Sequence, residues 1–202
     1  MPRAGLTPAV VAEEAARLSD EEGFDSLSLA AVAKRLGVAT PSLYKHVDGL
    51  RGLRREVALL GANGIGEEVQ RATVGRAGPE ALRATADAYR RYAHAHPGRY
   101  VALQQLPVLA GAGAEPATDP VRVLAAVLSG FGIAENQAVH AIRALRSALH
   151  GFVDLETRGG FGLPEDVDQS YALLVEGVVR AFQEWPATSP GTGAAPGDTR
   201  RG

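Results

Sequence analysis

The 202-residue sequence contains no cysteine, which excludes disulfide frameworks, cysteine-ligated zinc, iron–sulfur clusters and thiol nucleophiles. Lysine is nearly absent as well. Lys34 and Lys45 are the only two, so 19 of the 21 cationic side chains are arginine. Aromatic residues make up only 5%, and β-branched residues rarely alternate with polar ones, so a helical chain is expected rather than a β-rich one. No uncharged apolar run approaches the roughly 18 residues of a membrane span, and no targeting segment is visible. A cytoplasmic location and no membrane partner are therefore expected.

What is present describes a globular chain with a core: 46% hydrophobic and 22% charged residues. The net charge is −2, which argues against nucleic acid unless basic surface is concentrated locally. Helix punctuation organises the chain. Thr7, Pro8 and Gly23 delimit a first helix, and Ser28 and Gly37 a second whose apolar residues Leu29, Val32, Ala33 and Leu36 share a face. Thr40 and Pro41 are expected to open a short third helix, and Asp48 a fourth reaching towards Gln70 despite Gly61, Gly64 and Gly66. Beyond a break over residues 72–79, helical stretches are expected at 80–96, 119–130, 135–158 and 164–185. A shorter apolar segment lies at 100–109 and a loop at 110–120. The fold class expected is all-α, with domains at 1–60 and 61–185 and a disordered tail at 186–202 rich in Pro, Gly, Ser and Thr.

The stretch LAAVAKRLGVATPSLYKHV, from Leu29 to Val47, has a helix-turn-helix pattern. Two short helices meet at Gly37, small Ala33 permits their approach, and Val38 and Leu43 supply the apolar wedge between them. Stepping about 100° per residue from an inward Leu43 turns Pro41, Ser42 and Lys45 outward, with Tyr44 and His46 on the flanks. Side chains of this kind suit a DNA major groove. Charge divides accordingly: residues 1–33 carry a net −4, whereas residues 34–55 carry a net +5. The basic stretch is Lys34, Arg35, Lys45, Arg51, Arg54 and Arg55 against Asp48 alone.

The segment GFDSLSLAAVAKRLGVATPSLYKHVDGLRGLRREV resembles the N-terminal domain of the TetR family of bacterial transcriptional regulators. The arginine skew and heavy Ala and Gly usage fit a GC-rich bacterial genome. The resemblance implies that the short helix reads the major groove of a double-stranded, inverted-repeat operator. Tyr44 and His46 would touch phosphates or bases, and Thr40, Pro41, Ser42 and Lys45 would read sequence. Ser28 would offer its hydroxyl and nearby amides to a phosphate. Ala30 and Leu50 stand where relatives often carry a cation, so Arg51, Arg54 or Arg35 is expected to substitute.

The stretch ALHGFVDLETRGGFGLPEDVDQSYALLVEGVVRAF resembles the C-terminal domain of the WHG subgroup of that family, with Leu149-His150-Gly151 in place of its tryptophan element. This implies a homodimer joined through the last two long helices. Ile142, Leu145, Leu149 and Phe152 form one apolar stripe, and Tyr171, Leu174, Val178 and Phe182 belong to a second. Such stripes pack inside a domain or against a partner. Leu173, Val175 and Val179 lie off the second stripe, so that helix is expected to pack both ways, with Gly177 and Ala181 permitting close approach.

The resemblance also implies a small-molecule effector that releases a repressor from DNA, for which Tyr89, Tyr92, Tyr100, Leu103, Gln104, Phe131 and Arg143 are the candidate lining residues. The competing reading is an effector-independent activator or architectural DNA-binding protein. Catalysis is not expected. His94 and His96 diverge by about 200° on a helix and cannot share a metal, and no nucleophile–base grouping, phosphate loop or paired-carboxylate motif occurs. No metal, cofactor or catalytic residue is therefore expected.

Overall fold

Thr7 opens the first helix by accepting a hydrogen bond from the Val10 amide at 3.2 Å, with Pro8 in the first turn where its missing amide costs nothing. The protein is described from a computed structural model that covers residues 5–105 and 120–186. Its helices are α1 (Pro8–Glu22), α2 (Leu29–Leu36), α3 (Gly49–Thr73), α4 (Gly78–Ala95), α5 (Pro97–Gln105), α6 (Pro120–Ser129), α7 (Ala138–Thr157) and α8 (Val167–Gln183). Short 3-10 segments lie at Phe24–Ser26, Thr40–Lys45 and Glu135–Gln137, and no strand occurs among the described residues. The fold is all-α, in agreement with the sequence. Residues 106–119 and 187–202, which hold most of the expected loop and nearly all of the expected tail, lie outside the described residues.

Several local expectations change. Ala39 rather than Thr40 precedes the third segment. Asp48 stands at the start of α3, but its side chain makes no capping bond. The last helix starts not at Pro164 but behind Asp166, whose carboxylate accepts from the Asp168 and Gln169 amides at 2.8 and 3.2 Å. The 100–109 segment is helical, as part of α5, through Gln105.

α3 continues through its glycines because two of them are contact points. A Cβ on Gly61 would lie 2.6 Å from the Arg99 carbonyl oxygen, and one on Gly64 would lie 2.5 Å from the Tyr92 hydroxyl. Each glycine costs about 1 kcal/mol of helix propensity against alanine, and backbone-to-neighbour packing offsets it.

Two apolar clusters form. Val11, Leu18, Phe24, Leu27, Val32, Leu43, Leu53 and Val57 lead the first, and Leu82, Tyr89, Leu128, Leu145, Leu149, Val175 and Phe182 the second. α3 serves both, giving Ala58 to the first and Ile65 to the second. α5 does the same with Ala102 and Tyr100.

The joint between the clusters lies where α5 begins against the end of α1. A Cβ on Gly98 would fall 2.1 Å from the Ser19 carbonyl, so the helices meet backbone to backbone. Asp20 completes the contact, its carboxylate accepting from the Arg99 amide at 2.9 Å and pairing with Arg99 Nε at 3.0 Å and His96 Nδ1 at 3.4 Å. Arg99 also reaches Glu13 at 2.8 Å. Ion pairs brace the second cluster: Arg90 joins Glu156 of α7 and Asp168 of α8 while stacking 4.7 Å over the Tyr171 ring, and Arg83 donates to Glu176 at 2.5 and 2.8 Å.

Gly98→Ala is expected to destabilise the protein by about 1–3 kcal/mol in urea unfolding, because backbone must move to admit one methyl group. Unchanged stability would mean that α5 does not sit directly on α1.

Candidate nucleic-acid interface

Leucine, valine and alanine at helical spacing make α2, and Ser28 caps it by accepting from the Ala31 amide at 3.2 Å. Gly37 stops it with φ +68°, a conformation glycine adopts freely. The Val38 amide then donates to Ala33 O at 3.0 Å and the Gly37 amide to Lys34 O at 3.2 Å, the paired bonds of a Schellman stop. This fixes the direction in which residues 39–47 leave α2. Leu43, fully buried, and Val47 then anchor the segment against Val32 and Ala33.

Thr40–Lys45 winds as a 3-10 helix, with the Ser42 amide bonded to Ala39 O at 2.9 Å and the His46 amide to Leu43 O at 2.8 Å. Three residues per turn, rather than 3.6, changes which side chains share an azimuth. Thr40 and His46 fall in line with Leu43 and are half-buried, so His46, expected on the flank, and Thr40, which the resemblance made a sequence reader, sit behind the exposed side chains. Pro41, Tyr44 and Lys45 are exposed, Tyr44 at 62%, and Ser42 is half-buried beside them. The outward surface is therefore Pro41, Ser42, Tyr44 and Lys45.

Arg35 is not available as the expected substitute cation. Its Nε donates to Glu14 at 2.6 Å and its Nη1 to Glu21 at 2.6 Å, clamping α2 to α1. The Glu21 carboxylate, held by this guanidinium, titrates below its ordinary value, and Arg35 is raised in turn. Arg54 turns inward, its guanidinium carbon 5.4 Å from the Phe24 ring centroid. Lys34, Lys45, Arg51 and Arg55 are exposed and form no ion pair among the described residues. The net +5 stretch thus presents four exposed cations without an ion pair among the described residues, Lys45 on the outward segment and Lys34, Arg51 and Arg55 on the helices before and after it. Ser28 sits half-buried at the start of α2, its oxygen engaged as a cap while its hydroxyl hydrogen stays free to donate.

The expected effector residues separate in the structure. Tyr89, Tyr100 and Gln104 come together: Gln104 Nε2 donates to the Tyr89 hydroxyl at 3.3 Å, which lies 3.3 Å from the Tyr100 hydroxyl. His150 and Arg146, absent from the expected set, join them, at 2.7 Å from Tyr100 and 3.0 Å from Gln104 respectively. A polar residue one step past buried Leu149 was the available signal for His150. Tyr92 is buried, with its hydroxyl against Gly64 and no hydrogen-bond partner among the described residues. Leu103 packs at the edge of the second cluster, and Phe131 packs 5.9 Å from Phe182. Arg143 is exposed and does not join the others, because its position on α7 faces away from the cluster.

The expected dimer stripes also need correction. Leu145, Leu149, Tyr171 and Phe182 are buried inside the chain's own second cluster, since the side with the longest apolar repeat is the side that folding covers first. Ile142, Phe152, Leu174 and Val178 are half-buried at its margin. The uncovered apolar face is instead Ala144, Gly151 and Leu155 on α7, with Leu173, 67% exposed, Gly177 and Ala181 on α8. Among the described residues no helix is long and apolar enough to cross a membrane, and no group of three or more metal-ligating side chains is gathered.

Comparison with known proteins agrees with this geometry. Residues 12–57 match the family described as bacterial regulatory proteins, tetR family, and residues 82–178 match the tetracyclin repressor-like C-terminal domain. The chain belongs to the TetR family of helix-turn-helix transcriptional regulators. It is 41% identical over 197 residues to the HTH-type transcriptional regulator Rv0681 of Mycobacterium tuberculosis, covering 94% of this chain and 87% of that one. It is 34% identical over 177 residues to the HTH-type regulator YobS of Bacillus subtilis, covering 86% and 91%. Among solved structures, the TetR regulator SCO7222 of Streptomyces coelicolor superposes with a TM-score of 0.70 at 17% identity, covering 89% of this chain and 99% of that one. A TetR variant from Acinetobacter baumannii AYE in complex with minocycline superposes at 0.69 and 22% identity, covering 89% and 98%.

Arg35→Ala is expected to lower the unfolding midpoint while leaving the salt dependence of DNA binding unaltered. A drop of about 0.9 in the slope of log K against log salt would restore Arg35 as a phosphate contact.

Proposed function

We propose that this regulator is a homodimeric repressor. Its residues 1–60 read an inverted-repeat operator, and a small molecule bound within residues 61–185 releases it. The carrying observation is the outward Pro41-Ser42-Tyr44-Lys45 surface on a segment pinned by buried Leu43, between helices that carry exposed Lys34, Arg51 and Arg55. Lys45 is placed to hydrogen-bond a base edge, Tyr44 to reach phosphate or base, and the remaining cations to hold the backbone on either side. Thr40 and His46 act from behind, setting the segment's orientation, and Ser28 donates its hydroxyl to a phosphate.

Dimerisation is supported by the uncovered face of α7 and α8. Gly151 and Gly177 sit inside helices although added Cβ atoms would meet nothing within 4 Å in their own chain. Glycine costs helix stability at such positions, so its use there suits the close approach of a second copy. Effector binding is supported by the Tyr89–Tyr100–Gln104 group, and by a fold neighbour solved with minocycline. A family of transcription regulators likewise favours a non-catalytic role.

Operator DNA is sought as an inverted repeat flanking the gene and tested by fluorescence anisotropy. Lys45→Ala is expected to weaken binding to that duplex by about 1–3 kcal/mol and to affect a random duplex much less. Equal loss on both would make Lys45 a phosphate contact. Sedimentation at micromolar concentration is expected to give a dimer that Leu173→Glu converts to monomer. A monomeric wild type would overturn the dimer, and compounds that bind without releasing the DNA would favour the effector-independent alternative.

A further inference from the structure

The polar group in the second cluster has a direction. Arginine only donates, so Arg146 fixes the Gln104 side chain with its oxygen towards the guanidinium and its amide nitrogen towards Tyr89. Gln104 then donates to the Tyr89 oxygen, and with Tyr89 donating to Tyr100 and the Tyr100 hydroxyl donating to His150 Nδ1 every hydrogen in the chain has an acceptor. The links run 3.0, 3.3, 3.3 and 2.7 Å and join α7 to α5, α4, α5 and back to α7. Four donors meet four acceptors, and the last acceptor is an imidazole nitrogen. Burial raises both phenols above their ordinary values, so they remain donors.

A proton on Nδ1 would make that nitrogen a fifth donor. Tyr100 would turn to donate to Tyr89, whose oxygen already receives Gln104, and the Tyr89 hydroxyl hydrogen would be left inside the cluster without an acceptor. Arg146 cannot reverse to absorb the change. We propose that His150 is a proton-controlled latch on α5: neutral, it completes the chain that holds Tyr100 and Gln104, and on protonation that chain breaks at Tyr89. The inference rests on the hydrogen-bond geometry and is independent of any effector.

The charged groups facing His150 are Asp154 and Arg146 on its own helix and Arg158 just past its end; the neutral phenols of Tyr100 from α5 and, one link further, Tyr89 from α4 complete its titratable surroundings. Asp154 favours the imidazolium, the two arginines oppose it, and desolvation, the largest influence, lowers the pKa below 6.5. A depressed folded-state value means that the unfolded chain takes up the proton first. The stabilisation is therefore complete above pH 6.5 and is lost as pH falls below it.

The test is hydrogen exchange of the α5 amides Val101–Gln105 at pH 7.5 and 5.5, corrected for intrinsic rates, with the His150 tautomer read by nitrogen NMR. Wild type is expected to show unprotonated Nδ1 at pH 7.5. It should lose about tenfold of its α5 protection at pH 5.5, the factor one pH unit sets for an excluded proton. His150→Asn retains an acceptor near Nδ1 without titrating and is expected to abolish the pH effect while keeping the pH 7.5 protection. His96→Gln, at the other end of α5, should leave the effect intact. A protonated Nδ1 at pH 7.5, equal wild-type protection at both pH values, or an undiminished effect in H150N would each overturn the proposal.

Discussion

Everything downstream in this structure depends on one contact, the seating of the start of α5 on the end of α1. Gly98 lets the backbones touch, and the Asp20 carboxylate satisfies the Arg99 amide that the first turn of α5 would otherwise leave open. A carboxylate at a helix N-terminus is also favoured by the helix dipole. Because the capping group comes from another helix, the two apolar clusters cannot shift independently. α3 crosses the same border as a continuous rod, so the helix-turn-helix cluster and the C-terminal bundle share two of their elements. The Arg35–Glu14–Glu21 clamp extends the unit by fixing α2, and with it the segment that leaves α2 at Gly37, on α1.

How much of this was legible in the sequence varies with the range of the forces involved. Helices α1 and α2 were readable because their signals are local: Thr7, Ser28 and Gly37 act on amides and carbonyls within one turn. The helix-turn-helix followed, since Gly37 and Leu43 constrain only their immediate surroundings. Long-range contacts were not legible. Nothing near Gly61 or Gly64 in the chain announces that Arg99 and Tyr92 will press on them, so glycine there resembled a break rather than a contact. Arg35 was misplaced for the same reason, its partners lying 14 and 21 residues away.

Candidate sites divided along the same line. Tyr89, Tyr100 and Gln104 were found as a group because α4 and α5 bring similar side chains to one side, whereas Arg143 was chosen for its charge alone and points elsewhere. Apolar periodicity located the faces of α7 and α8 but could not say which face the chain covers itself. Leu145 and Leu149 belong to the core, while the weaker pattern of Ala144, Gly151 and Leu173 stays open.

The scarcity of lysine gains a chemical meaning once the fold is known. Both side-chain amines, Lys34 and Lys45, are exposed within the helix-turn-helix, on α2 and on the outward segment; every arginine carries a guanidinium instead. Acylation of side-chain amines therefore falls selectively on the surface proposed to face DNA, removing charge there while the arginine-built braces of both clusters keep theirs. Amine-directed chemistry thus distinguishes one face of the protein by composition alone and leaves the guanidinium braces untouched.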